Sequence, residues 1–194
     1  ELGLAKNTLA GTDQLLSGWL GCPVQALWSM RNGYALGTAH GLQQIGDLIR
    51  GASDKMKDQL RASLAVAWQR DVEVTDLPAP AAHKVSQVFA SALPVSYTRI
   101  APALWEPFAR IVLEALYEAT LLAAVIAQAD GAPGTVLLTR VGGGAFGNPD
   151  AWIDAALQRA LQQVQHAGLD VHLVSHSAKH PSFVRIAADW AQAH

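Results

Sequence analysis

"LLTRVGGGAFGNPDAWIDAAL", residues 137–157, decides how this chain is read. A run of leucine and β-branched residues breaks into Gly142-Gly143-Gly144, Ala145-Phe146-Gly147 and Asn148-Pro149-Asp150, then resumes with the periodicity of an amphipathic helix. Strand, glycine-rich turn and helix N-terminus together form a standard anion site, because unhindered backbone N–H groups and the positive end of the helix dipole face one spot. Three consecutive glycines are conformationally costly, and that cost is tolerated where backbone must approach a ligand closely. The stretch therefore predicts a phosphate-binding loop, with Asn148 capping the helix and Pro149 at its first position.

The neighbouring segments alternate in type. Strands are predicted at 70–76, 84–95, 135–141 and 170–176, and helices at about 103–129, 150–167 and 182–193. In the second strand Val85, Gln87, Phe89 and Ser91 share one face, and Pro94 ends its ladder. Upstream, 42–69 reads as helix broken at Gly51 with Ser53 capping the second piece, 31–41 as a glycine-punctuated loop, and 1–31 as two short helices around turns. Strand–helix alternation predicts a single α/β domain over 1–194, a three-layer α/β/α sandwich with a mixed, mostly parallel sheet. The first residue is Glu rather than Met, as in an excised or minimal form of a longer chain.

Composition narrows the partners. Hydrophobic residues make up 51% of the chain and charged ones 15%, but Glu114, Tyr117 and Glu118 interrupt the longest apolar run at helical intervals, which predicts a core helix rather than a membrane span. A formal net charge of −2 with no Lys/Arg-rich block predicts binding to neither nucleic acid nor an anionic membrane. The lone Cys22 allows no internal disulfide, and residues 1–20 lack the pattern of a signal peptide, so a cytoplasmic location is expected. His172, His176 and His180 are four apart across a strand and a turn, a spacing that does not converge, so no metal site is expected.

Two common phosphate binders fit the loop poorly. Gly142-x-Gly144-x-x-Gly147 satisfies the dinucleotide fingerprint of oxidoreductases, but the acidic candidate for the ribose, Asp170, begins its strand instead of ending it. A P-loop requires Gly-Lys-Ser/Thr, whereas the nearby cation, Arg140, precedes the glycines.

The segment "GGGAFGNPDAWIDAALQRALQQVQHAGLDVHLVSH" resembles the second phosphate-binding loop, helix and following strand of macrodomains, in particular the poly(ADP-ribose) glycohydrolase-like branch with its Gly-Ala-Phe-Gly core. "QVFASALPVSY" (87–97) is similar to the buried strand before that loop, "VLEALYEATLLAA" (112–124) to the intervening helix, and "GTAHGLQQIGDLI" (37–49) to the segment holding that branch's first glycine loop and catalytic Gln-Glu-Glu. Within the branch, the similarity is greatest to arginine-directed ADP-ribosyl hydrolases of a bacterial effector acting on ubiquitin.

The resemblance implies that Gly142, Gly143, Gly144, Ala145, Phe146 and Gly147 wrap the diphosphate and distal ribose of ADP-ribose, with Asn148 at the helix start. It implies that His176 lies against the adenine, that no cofactor is needed, and that the partner is ADP-ribose or an ADP-ribosylated protein such as ubiquitin. Tyr97, just past Pro94 at a strand end, is expected at the ligand mouth. The branch's paired glutamates read Gln43-Gln44 here, and a carboxamide exchanges no proton at neutral pH. Asp47, on the same helix, and His40 in "GTAHG" are the catalytic candidates that remain, with Asp71 and Glu73 as a second pair sharing a strand face. Hydrolysis of an ADP-ribosyl–protein bond with arginine as acceptor, reading of ADP-ribose without chemistry, and a nucleotide-dependent oxidoreductase stay open at this point.

Overall fold

A computed structural model describes residues 7–75, 83–176 and 178–193. The chain mixes helix and strand, with helices predominating, and the core is built on one of them. That helix, α5 (Pro102–Ala129), buries Trp105, Phe108, Leu113, Leu116, Tyr117 and Leu121, and α3 (Ala39–Gly51), α4 (Asp54–Ala62) and α6 (Asp150–Gln163) pack around it. By length and composition α5 could cross a bilayer, but half of its most apolar window is buried in this core. Its two mid-helix carboxylates meet neighbouring helices: Glu114 takes the Arg61 guanidinium at 2.7 Å, and Glu118 pairs with Arg159. Trp105 and Trp152 are buried and Trp190 partly so, as amphipathic helices place them.

The strands form three two-stranded ladders. β5 (Thr135–Leu138) and β6 (Asp170–Leu173) pair in parallel on either side of α6, the expected strand–helix–strand unit, turning Val136 and Leu138 into the core. β3 (Ala67–Glu73) and β4 (Lys84–Phe89) are antiparallel, as are β1 (Trp28–Arg31) and β2 (Tyr34–Gly37). No ladder joins the three pairs among the described residues.

Several expectations are corrected. Segment 28–37, read as helix end and loop, is a hairpin closed by Asn32 (φ 50°) and Gly33 (φ 82°), the positive angles that an Asn-Gly two-residue turn supplies. The helix read across 42–69 ends at Ala62, and β3 starts at Ala67. Its break is as expected, with the Ser53 hydroxyl accepting from the Met56 N–H. β4 ends at Phe89, and Ala92 and Leu93 continue as buried chain without a ladder. Asp71 and Glu73 do not share a regular strand face. Asp71 sits at φ 56° inside a register shift between Gln69 and Val72, and such a bulge interrupts the alternation that would align the two carboxylates.

Candidate functional site

The glycine loop leaves β5 and is shaped by what lies beneath it. Gly142 has φ 87°, and a Cβ there would come within 2.6 Å of the Ala92 Cβ. Gly147 has φ 69°, and its Cβ would meet the Ser96 Cβ at 2.8 Å. Both positions thus require glycine twice over, by dihedral angle and by space. Gly144 also has a positive φ, 60°, but nothing lies within 4 Å of where its Cβ would be, so this part of the loop faces open space.

Asn148 locks the loop rather than capping the helix. Its side chain is buried, with Nδ2 donating to the Leu93 and Gly142 carbonyls at 2.9 Å, and its backbone N–H donating to the same Gly142 carbonyl. Pro149 flanks α6 and Asp150 is its first residue, one position later than the sequence suggested. From the opposite side, the Ser96 hydroxyl donates to the Ala145 carbonyl. The buried Tyr117 hydroxyl donates to the Thr139 carbonyl at 2.8 Å and accepts from the Val141 N–H at 3.0 Å, standing in for a strand partner at the exit of β5. Burial pushes its phenol up to about 12.

Behind the loop, Arg140 is consumed by ion pairing. It donates to Asp154 and Asp150, each at 2.7 Å, and to the Ser182 hydroxyl at 2.6 Å, while its guanidinium lies 5.4 Å from the Phe183 ring centre. Asp154 also accepts from Arg185 at 2.8 Å. Arg140 is therefore a structural cation of the α6–α7 junction (α7, Pro181–Ala193), with no charge to spare for a ligand.

In front of the loop stands an aromatic cluster. Phe146, Tyr97 and Tyr34 contact one another edge-on, with ring centres 5.3–5.6 Å apart. Tyr97 comes from the turn after Pro94, and its ring meets Phe146 of the loop. Tyr34 comes from the β1–β2 hairpin and was missed. Its signal, Asn-Gly between alternating residues, was present in the sequence but read as loop. Tyr34 and Tyr97 remain 36% and 46% exposed, enough ring surface for a ligand to cover.

The remaining candidates stand apart from this cluster. Asp47 lies on the outward face of α3 and makes its bonds within that helix, accepting from Gln43 at 3.0 Å and from Arg50 at 2.6 Å. The Gln43 amide and then Arg50 hold its carboxyl below the usual aspartate range. His40 is exposed in the first turn of α3, which the Thr38 hydroxyl caps by accepting from the Gly41 N–H. His176 is exposed beyond β6. His172 pairs with Asp170, and His180 with Ser182 and Asp150, so the three histidines do not converge, and no metal-binding group is found among the described residues. Two concavities, of about 550 and 340 Å³, open between α1 (Ala10–Leu20) and α4 and between α6, β6 and α7; neither is lined by a residue of the glycine loop or by a cation. Compared with known proteins, the chain matches no family model, no curated protein and no solved structure.

Proposed function

We propose that this chain is a macrodomain-type module that binds ADP-ribose, with the glycine loop on the ligand's diphosphate and distal ribose. The observation that carries the reading is the loop itself. Gly142 and Gly147 are forced into positive φ against Ala92 and Ser96, while Gly144 is left open beside a partly exposed aromatic cluster. A mere connector needs no such bracing, whereas a backbone held rigid against a diphosphate does. The parallel β5–α6–β6 unit supports the same reading, because a loop at the carboxyl end of a parallel strand is where α/β sheets receive ligands. A three-layer α/β/α arrangement is part of the proposal.

The activity we assign is release of ADP-ribose from protein, with arginine as favoured acceptor and a cytoplasmic ADP-ribosylated protein such as ubiquitin as substrate. A reader without chemistry is the second reading, favoured by one observation: Asp47 is already engaged by Gln43 and Arg50. A nucleotide-dependent oxidoreductase is the most distant alternative.

Calorimetry with ADP-ribose and then NAD tests the binding. Micromolar affinity for ADP-ribose, about −8 kcal/mol, with much weaker binding of NAD(H), is expected; tighter binding of NADH would end the macrodomain reading. Incubation with mono-ADP-ribosylated arginine peptide then separates hydrolase from reader. Release that falls at least about a hundredfold in Asp47→Ala supports a hydrolase using that carboxylate. No release from arginine, glutamate or serine linkages identifies a reader.

A further inference from the structure

We infer that Arg31 and Arg99 supply the positive charge of this site, and that they select ligands carrying phosphate on the aromatic side of the glycine loop; the inference builds on the proposed ADP-ribose site.

The chain has nine arginines, all among the described residues. Seven of them, Arg50, Arg61, Arg70, Arg110, Arg140, Arg159 and Arg185, form ion pairs with carboxylates. The other two, Arg31 and Arg99, are exposed, and their side chains have no ion pair or hydrogen bond among the described residues. Both lie on the segments that deliver the aromatic cluster. Arg31 is the direct cross-strand partner of Tyr34 in the β1–β2 ladder, and directly opposed residues project from the same face of a hairpin. Arg99 follows Tyr97 by two residues, at most about 7 Å of chain, within the reach of an arginine side chain.

Charge on the other side of the loop points the same way. The cation there, Arg140, is neutralised by Asp150 and Asp154, and the Asp150 carboxylate at the start of α6 is 64% exposed. A phosphate approaching from that side meets a carboxylate. One approaching over Tyr34 and Tyr97 comes in along the two segments that carry Arg31 and Arg99. Guanidinium also matches phosphate geometrically, offering paired donors in a plane.

The test titrates wild type, Arg31→Gln/Arg99→Gln and Arg31→Lys/Arg99→Lys with inorganic pyrophosphate, ADP and ADP-ribose at low and high salt. Thermal unfolding runs alongside, because unpaired exposed arginines should leave Tm unchanged. The glutamine variant should lose at least about tenfold in affinity for all three ligands, and with it most of the salt dependence; the lysine variant should recover much of both. Wild type binding pyrophosphate in an arginine-dependent way but not ADP-ribose would sustain this inference and defeat the macrodomain reading. ADP-ribose bound equally by wild type and the glutamine variant would defeat this inference and leave the macrodomain reading standing. Equal weakening by lysine and glutamine would show that charge is not what these positions provide, and a wild type that binds none of the ligands would end both.

Discussion

The two sides of the glycine loop treat charge in opposite ways. On the α7 side, Arg140, Asp150, Asp154, Arg185 and Ser182 form a closed network in which each charge has a partner, and the Asp154 carboxylate is only 9% exposed. On the hairpin side, three aromatic rings meet at the surface, and Arg31 and Arg99 on the adjoining segments have no ion pair among the described residues. Charges removed from water must be paired to be tolerated, whereas an exposed unpaired guanidinium costs the fold nothing and keeps its donors for something else. The closed side is architecture, fixing α6 and α7 behind the loop; the open side is where binding energy is still to be gained.

The largest effect should come from breaking the closed side. Asp154→Ala leaves Arg140, 12% exposed, short of one of its carboxylates and removes the Arg185 partner as well. A loss of about 3 kcal/mol in urea unfolding is expected, against no more than about 0.5 kcal/mol for Arg31→Gln. If the two variants unfolded at the same midpoint, the contrast between the sides would collapse.

Next in size is a pair of substitutions within the loop. Gly142→Ala meets both a positive φ and the Ala92 Cβ, so it should cost about 3 kcal/mol and disturb the Asn148 lock. Gly144→Ala meets only the positive φ, a cost of about 1 kcal/mol. Gly144→Glu should match that modest loss of stability yet abolish ADP-ribose binding, because its side chain extends into the open space where the proposed ligand sits. Unchanged affinity in Gly144→Glu would reduce the loop to a connector.

Elements with a single dominant local signal were legible in the sequence. The amphipathic helices, the Gly51 break with its Ser53 cap, and the β5–α6–β6 unit follow from periodicity and capping chemistry alone. The failures share a cause, which is that tertiary partners decide them. Asn148 has the residue type of a cap, but the buried Leu93 and Gly142 carbonyls compete for its amide and win. Asp71 and Glu73 alternate in sequence, yet the bulge breaks the alternation in space. The position of Arg140 ahead of the glycines already sets it apart from a P-loop lysine, but its carboxylate partners come from α6 and are not visible in sequence; Arg31 belongs to a hairpin whose segment reads as loop. The hairpin differs, because Asn32-Gly33 is a local turn signal that needs no tertiary partner.

The smallest effect separates a third surface, the outer face of α3, from both sides of the loop. Asp47 is exposed, and its contacts with Gln43 and Arg50 are helical neighbours one turn away. Its carboxyl is held below its ordinary value, so whatever it adds to stability is present above the unfolded aspartate pKa, about 4, and is lost as pH falls through the lower folded value. Asp47→Ala should therefore shift the thermal midpoint slightly near pH 7, and by less as pH falls through the lowered folded value. A substantial shift that does not shrink as pH falls would mean that Asp47 does more for the fold than these surface contacts provide. Any loss of activity in Asp47→Ala would then have to be judged against a damaged fold. A negligible shift makes the same variant a clean probe, in which lost release of ADP-ribose from arginine reports on chemistry alone.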